Sequence, residues 1–343
     1  MPSTNAQQEL RERLRADRNA GLPMISLFAG AGGMDIGFER AGFRTVWANE
    51  YDKNIAPSYR GYFPDVVFDN RSISLVPDTD LPKNIVGIIG GPPCQSWSEA
   101  GARRGLADSR GQLFFEYLRV IRQTQPLFFV AENVHGLIHA RNLESFRQII
   151  KTFEAEGYVV NWKLLKASDY GVPQDRERVF IVGYQQALGK RFEFPQPLKE
   201  KPTLRDAIGD LADLPLGSDK VKNHELIESG YSPIFLSRNR VRGWDEQSYT
   251  ILAMDRHIPF HPQAPKMIKV PGEELRVFVK GQESLYRRLT VRECARIQTF
   301  PDDYEFVYSN IRQAYKMIGN AVPVNLAYWV AKRIKDDLSS LLA

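Results

Sequence analysis

Short, largely apolar runs alternate along the first half of the chain with longer segments whose apolar residues recur every three or four positions. The runs at 24–28, 86–89 and 127–131 are too short for buried helices and predict strands covered on both faces. Residues 44–48, 66–68, 158–165 and 179–183 predict further strands. Between them, a helix starts near Met34, another covers 112–123, and a third covers 143–156. The second is marked by Leu113, Phe114, Tyr117, Leu118 and Ile121 on one face. Strand and helix in this alternation predict an α/β fold with a doubly wound, largely parallel sheet.

After Gly183 the texture changes. From about 185 to 286 prolines are frequent, apolar runs are short and the alternation stops, which predicts a second, smaller and irregular domain. Helical spacing returns at 286–300, where Val291, Cys294, Ala295 and Ile297 share an apolar face, and at 325–342 after Pro323. The expected division is a polar extension over 1–22, a catalytic domain over 23–184 plus 316–343, and the irregular domain over 185–315. The extension has leucines four apart and fits a short surface helix, with no function assigned to it.

Composition narrows the class. The 343 residues are 43% hydrophobic and 25% charged, as in an ordinary globular protein. No apolar run approaches the roughly 20 residues that span a bilayer, and the first residues lack a signal-peptide core, so a cytoplasmic protein is expected. Two cysteines far apart give neither a disulfide framework nor a zinc cluster, and no metal is expected. The net charge of +5 is compatible with a polyanionic partner without requiring one.

Candidate chemistry gathers at the ends of the expected strands. Phe28-Ala29-Gly30-Ala31-Gly32-Gly33 follows the first strand and lets backbone approach a ligand. It lacks the Lys-Ser/Thr ending of a phosphate-cradling loop. The second strand ends at Glu50 and Tyr51, an acid placed for ribose hydroxyls and an aromatic placed for a purine face. Loop and acid together predict an adenosine-type ligand, and a dinucleotide or S-adenosylmethionine would fit equally. Asp69, after the third strand, is a third candidate contact.

The turn Gly90-Gly91-Pro92-Pro93-Cys94 ends the fourth strand and presents a thiol, either a nucleophile or a structural cysteine. Glu132 follows five apolar residues, so its carboxylate is desolvated or ligand-bound, unless Asn133 merely starts a helix. Gln174, Arg176 and Arg178 share one face if their strand is regular. So do Arg238, Arg240 and Arg242, which on an edge strand would guard equally well against aggregation. Arg256 and His257 meet at a loop junction, and 98–110 reads as a polar loop containing Ser98 and Arg110.

In order, these pieces resemble the motifs of the cytosine-C5 DNA methyltransferases from Ile25 to Ala327. The cofactor loop, Glu50-Tyr51, Pro93-Cys94-Gln95, Glu132-Asn133-Val134 and the Gln174, Arg176, Arg178 series each have a counterpart in that family. So do the stretch from Arg288 to Pro301 and Gly319-Asn320-Ala321-Val322-Pro323. The resemblance implies a Rossmann-like S-adenosylmethionine-dependent methyltransferase domain with a smaller target-recognition domain. It implies catalysis by Cys94, Glu132, Arg176 and Arg178, and cofactor binding by Phe28, Ala29, Gly30, Ala31, Gly33, Glu50, Tyr51, Asp69, Pro93, Leu113, Asn320 and Val322. Ser98, Arg110, Arg238, Arg240, Arg242 and Arg256 are the expected contacts to double-stranded DNA.

The expected reaction flips a cytosine from the duplex, adds Cys94 to C6 and methylates C5. A nicotinamide dehydrogenase would leave Cys94, Glu132 and the arginines without a role. An adenine-N6 methyltransferase would carry a different residue type in the Cys94 turn. The resemblance further implies a bacterial restriction–modification enzyme, monomeric on DNA, with a short GC-rich palindromic target such as GGCC. A paired endonuclease would act on the same site without binding the methyltransferase.

Overall fold

The computed structural model describes residues 21–93, 109–228 and 230–341. The expected surface helix before residue 21, Cys94, and Ser98 in its polar loop lie outside the described residues, and Arg110 is described by its backbone alone.

The first half builds a seven-stranded sheet. Its strands are β1 (Leu22–Leu27), β2 (Phe43–Asn49), β3 (Val67–Asp69), β4 (Gly87–Gly90), β5 (Phe128–Val134), β6 (Tyr158–Lys166) and β8 (Glu177–Gln185), in the order β3-β2-β1-β4-β5-β8-β6. β1 to β5 run parallel, and β8 is inserted antiparallel between β5 and β6. Every residue of β1 and β4 is buried, as continuous apolar runs require when helices cover both faces. On one face α1 (Gly33–Arg40) and α9 (Val324–Ser339) pack through Met34, Phe38, Leu326 and Ala327. On the other, α3 (Ser109–Thr124) and α4 (Leu143–Ala155) bury Tyr117, Ile121, Phe146 and Phe153.

The strand order reverses between β1 and β4, so their carboxyl ends splay apart and leave a crevice there. Several elements were not foreseen. α2 (Ala56–Tyr62) and α8 (Ile311–Asn320) are helices, the latter opened by a capping box between Asn310 and Gln313. The helix expected over 286–300 is α7 (Val291–Ile297), because Thr290 and Glu293 close a capping box that fixes its start.

The expected continuous strand through Gln174, Arg176 and Arg178 is broken. β7 (Gln174–Asp175) leaves the main sheet and pairs instead with β9 (Ser248–Tyr249). The Arg176 N–H donates to the Gln174 carbonyl, a tight local turn, before β8 begins at Glu177. The regular alternation expected from Gln174 to Arg178 is therefore interrupted at Arg176.

Beyond β8 the elements are short, as expected. They include α5 (Leu204–Ile208), α6 (Pro233–Leu236), and a hairpin of β10 (Ile268–Lys269) with β11 (Arg276–Val277). A small core of Phe235, Val241, Phe260, Ala264, Met267 and Tyr286 is separate from the sheet. A larger cluster spans both halves, joining Ala31, Ile36 and Tyr59 to Leu204, Ile251, Leu289, Ile297 and Tyr315.

Candidate active site

The crevice at the reversal point is a cleft of about 510 Å³, within the range that holds a cofactor-sized ligand. It is walled by the tips of β1, β2, β4 and β5 and closed from above by α8 and the turn after it. At its floor, Phe28 takes a left-handed backbone (φ 54°), as does Gly30 (φ 54°). For Phe28 that conformation costs about 1 kcal/mol or more, and it sits where the loop must turn toward the cleft.

The loop is fastened to the tip of β2. The Ala29 N–H donates to the Asn49 carbonyl at 3.1 Å, and Gly30 N–H to Glu50 Oε2 at 3.1 Å. Glu50 Oε1 accepts from the Asp52 N–H at 2.9 Å. Burial pushes the Glu50 carboxyl above its ordinary value, and the backbone N–H groups of Asp52 and Gly30 pull against that. Tyr51 beside it is 72% exposed, an aromatic face open at the mouth of the cleft. Asp52 pairs with Lys316 of α8 at 2.8 Å, which draws that helix over the cleft.

Of the expected cofactor residues, Phe28, Ala29, Gly30, Gly33, Glu50, Tyr51, Pro93, Leu113, Asn320 and Val322 line this cleft. Ala31 and Asp69 are not among its lining residues: Ala31 is buried in the core, and Asp69 is paired with Arg71 at 2.6 Å. Asp35, Lys316 and Met317 line it unforeseen. Asp35 is a fully buried acid on α1, accepting from the Tyr59 hydroxyl at 2.7 Å, and burial pushes its carboxyl up to about 6. The pairing of Asp52 with Lys316 was not legible because 264 residues separate them.

The other end of the cleft holds an ion pair. Arg178 Nε meets Glu132 Oε1 at 2.8 Å, and both side chains are almost fully enclosed. Burial raises the Glu132 carboxyl above the ordinary carboxylate value, and the charges of Arg178 and then Arg176 oppose that rise. The Gly90-Gly91-Pro92-Pro93 turn lies directly against this carboxylate. A Cβ on Gly91 would stand 3.3 Å from Glu132 Oε2, so a larger residue there would crowd the acid. Asn133 Nδ2 donates to the Pro92 carbonyl at 2.8 Å, fixing the turn to the end of β5. Asn133 thus holds the turn and does not start a helix.

Arg176 differs from expectation. It does not line the cleft, and its guanidinium donates only to main-chain carbonyls, those of Ile251, Gly319 and Ala321. Its charge nonetheless acts on the Glu132 carboxyl, opposing the rise that burial causes. Cys294 is wholly buried in an apolar cluster and burial pushes its thiol up, which disfavours a thiolate there.

The arginine face over 238–242 also needs correction. The segment forms no strand beyond an isolated bridge at Val241. Arg240 donates to the Phe235 carbonyl at 2.9 Å and stacks on the Phe235 ring. Arg242 is paired with Asp175 at 3.1 Å and Glu246 at 3.4 Å, and covers Tyr249. Carbonyls at the end of α6 and nearby carboxylates take up these two cations, while Arg238 and Arg256 remain exposed.

Among the described residues, no group of three His, Cys, Asp or Glu side chains is arranged to hold a metal ion. No helix there is long and apolar enough to cross a membrane.

The sheet with one antiparallel strand, the glycine loop and the acid at the second strand tip define a nucleoside-binding α/β fold of the methyltransferase class. The model of the C-5 cytosine-specific DNA methylase family matches residues 22–336, and the chain belongs to that family. It is similar to the Type II methyltransferase M.FnuDI of Fusobacterium nucleatum, 52% identical over 331 residues, or 93% of this chain and 95% of the relative. M.NgoPII of Neisseria gonorrhoeae is 49% identical over 329 residues, covering 92% and 96%. The fold is also that of the Entamoeba histolytica methyltransferase EhMeth, with a TM-score of 0.69 at 16% identity over 93% of this chain and 99% of that one. Family and fold imply S-adenosylmethionine as cofactor. The open Tyr51 ring, the Glu50 carboxylate and the size of the cleft fit it.

Proposed function

We propose that the chain methylates C5 of a cytosine flipped out of duplex DNA, with Cys94 as nucleophile and Glu132 as the acid at N3. The observation that carries this reading is the enclosed Glu132–Arg178 pair lying against the turn that delivers residue 94. Cytosine C5 is a poor nucleophile while the ring is aromatic. Addition of the Cys94 thiolate to C6 forms a carbon–sulfur bond and pushes the ring electrons toward C5 and N3. Glu132, whose carboxyl burial raises above its ordinary value, donates a proton to N3 as that negative charge develops. Arg178 holds the acid in place and brings positive charge to the cleft that Pro93, the residue before Cys94, also lines. C5 then takes the methyl group; a base such as water removes the C5 proton, its bonding pair re-forms the C5–C6 double bond, and the carbon–sulfur bond breaks to release Cys94 as the thiolate.

Bound S-adenosylmethionine supplies the methyl group as an electrophile. Glu50 would hold its ribose, Tyr51 would stack on its adenine, and Phe28, Asn320 and Val322 would enclose the remainder. Extruding the base costs a few kcal/mol, about the energy of unstacking it. The exposed Leu252, Met254 and Arg256 on the loop beside α8, together with Arg238, are among the described groups that would meet the DNA.

The proposed biological role is the modification enzyme of a bacterial restriction–modification system, acting in the cytoplasm as a monomer on DNA. The relatives M.FnuDI and M.NgoPII, both named Type II methyltransferases, support that role. A GGCC target rests on the resemblance of several stretches, 90–99, 315–327, 237–244 and 261–267, to the HaeIII methyltransferase, which acts on GGCC. Bisulfite sequencing of plasmid DNA from cells expressing the chain tests both activity and target. Protected cytosines within one short palindrome are expected, and uniformly converted DNA would refute the proposal.

A further inference from the structure

Arg176 is 1% exposed, and its guanidinium hydrogen bonds join two distant parts of the chain. Nη1 donates to the Ile251 carbonyl at 2.9 Å, while Nη2 donates to the carbonyls of Gly319 at 2.8 Å and Ala321 at 3.1 Å. Gln174 works in parallel. Its Oε1 accepts from the Ile251 N–H at 2.9 Å, and its Nε2 donates to Gln298 Oε1 at 2.9 Å. Gln298 Nε2 in turn donates to the carbonyls of Ile318 at 2.7 Å and Ala321 at 3.2 Å. Both main-chain polar groups of Ile251 are thus tied, through buried side chains, to the end of α8.

The two tied segments also touch directly. A Cβ on Gly319 would fall 2.3 Å from Ala253 N and 2.3 Å from the Leu252 carbonyl carbon, so the backbones meet where a side chain would stand. On one side of the junction, Asn320, Ala321 and Val322 form a wall of the cofactor cleft. On the other, the chain runs at once into the loop that exposes Leu252, Met254 and Arg256.

We infer that Arg176, with Gln174 and Gln298, is a positioning device that couples the cofactor wall to the 252–256 loop, so that cofactor and duplex each tighten the other's binding. This inference rests on the proposed function of both surfaces. The physical reason is the expense of breaking the junction. A buried guanidinium bonded only to carbonyls loses its compensation if either segment moves alone. Its planar fork fixes the spacing of the carbonyls it holds. A ligand that sets the position of 320–322 therefore also sets the position of the loop beyond Ile251. Arg176 on this account touches neither substrate nor cofactor, in contrast to Arg178.

Calorimetric binding of S-adenosylhomocysteine, with and without a saturating duplex bearing the methylated site, tests this directly. Linkage requires the same factor when duplex binding is measured with and without the cofactor product. Wild type is expected to show a factor of about fivefold or more in both directions. In Arg176→Gln the factor should fall to within about twofold of unity, and Arg176→Lys should keep an intermediate value. Gly319→Ala gives a second route, since it wedges the segments apart and leaves the buried charge in place. All variants are read below their melting temperatures, where a purely structural role would not move the ratio. A wild-type factor of one with both ligands bound, or variants that keep the wild-type factor, would overturn the inference. Failure of wild type to bind the nucleoside or DNA would instead overturn the proposed function, and the inference with it.

Discussion

At the strand tips of the sheet, carboxylates face the cleft: Glu50 at one end holds the glycine loop, and Glu132 at the other holds Arg178. In the irregular half several arginines that could reach outward are turned inward. Arg240 is bonded to the end of a short helix, Arg242 to two carboxylates, and Arg292 to the carbonyls of Lys222, Pro301 and Tyr304. The difference follows from the backbone each half offers. A parallel sheet satisfies its own N–H and C=O groups and leaves the tips free for chemistry. A region of short elements leaves many carbonyls unpaired, and arginines are recruited to satisfy them. Counting arginines in the second half therefore overstates the charge it presents to DNA.

The largest effect separating the halves is expected at Cys94. Cys94→Ser should abolish methyl transfer while leaving duplex binding intact, because a hydroxyl is a far weaker nucleophile than a thiolate. Filter-binding and tritium-transfer assays on the same preparation check it. Appreciable turnover would remove Cys94 from its role.

Glu132→Gln keeps the shape of the site and removes its acid. Turnover should fall by about 10²–10⁴-fold, the usual contribution of a positioned acid or base. The pH profile sharpens the point. Since burial raises the Glu132 carboxyl, its protonated form is lost as pH rises through that raised value, and the wild-type rate should carry a limb that declines on the alkaline side. The glutamine variant should lack that limb. A variant retaining the wild-type profile would assign it to another group.

Asp35 offers a test in stability, independent of activity. Its carboxyl is raised to about 6 in the folded chain from an ordinary value of 3.8. Its protonated form therefore stabilises the fold below about pH 4, and that contribution is lost as pH rises through about 6. A shift of that size corresponds to about 3 kcal/mol. Asp35→Asn should gain stability relative to wild type on going from pH 4 to pH 8, read by thermal melts at both. An unchanged difference between the two pH values would show that Asp35 does not titrate in this way.

The smallest effects belong to the exposed arginines. Arg238→Ala should weaken binding to every duplex alike and flatten its salt dependence, as a phosphate contact does. Arg256→Ala should lose about 1–3 kcal/mol of discrimination between the target and a single mismatch, if its guanidinium reads a guanine. Competition binding across a salt series distinguishes the two. Equal behaviour of both variants would move base reading elsewhere on the 252–256 loop.

The sheet was legible because its buried strands announce themselves. The apolar runs over 24–28, 86–89 and 127–131 coincide with β1, β4 and β5 to within a few residues, and Glu50 and Glu132 follow from strand ends alone. The alternation of Gln174, Arg176 and Arg178 gave no sign of the break at Arg176, because the partner that draws β7 aside, Ser248–Tyr249, is remote in sequence. The inward turn of Arg242 was hidden for the same reason: its partner Asp175 lies 67 positions away. α8 carried a usable local signal, the Asn310 and Gln313 capping box followed by Ala314, Tyr315, Met317 and Ile318 on one side. Lys316 reaching the cleft from that helix required the fold.

The covalent step is tested most directly by a duplex carrying 5-fluorocytosine at the methylated position, incubated with the chain and S-adenosylmethionine and then digested for mass spectrometry. Fluorine cannot leave as a proton, so addition without elimination should leave a denaturation-resistant adduct on the peptide containing Cys94. No adduct from a preparation that methylates ordinary duplex, or an adduct on a different residue, would contradict the account.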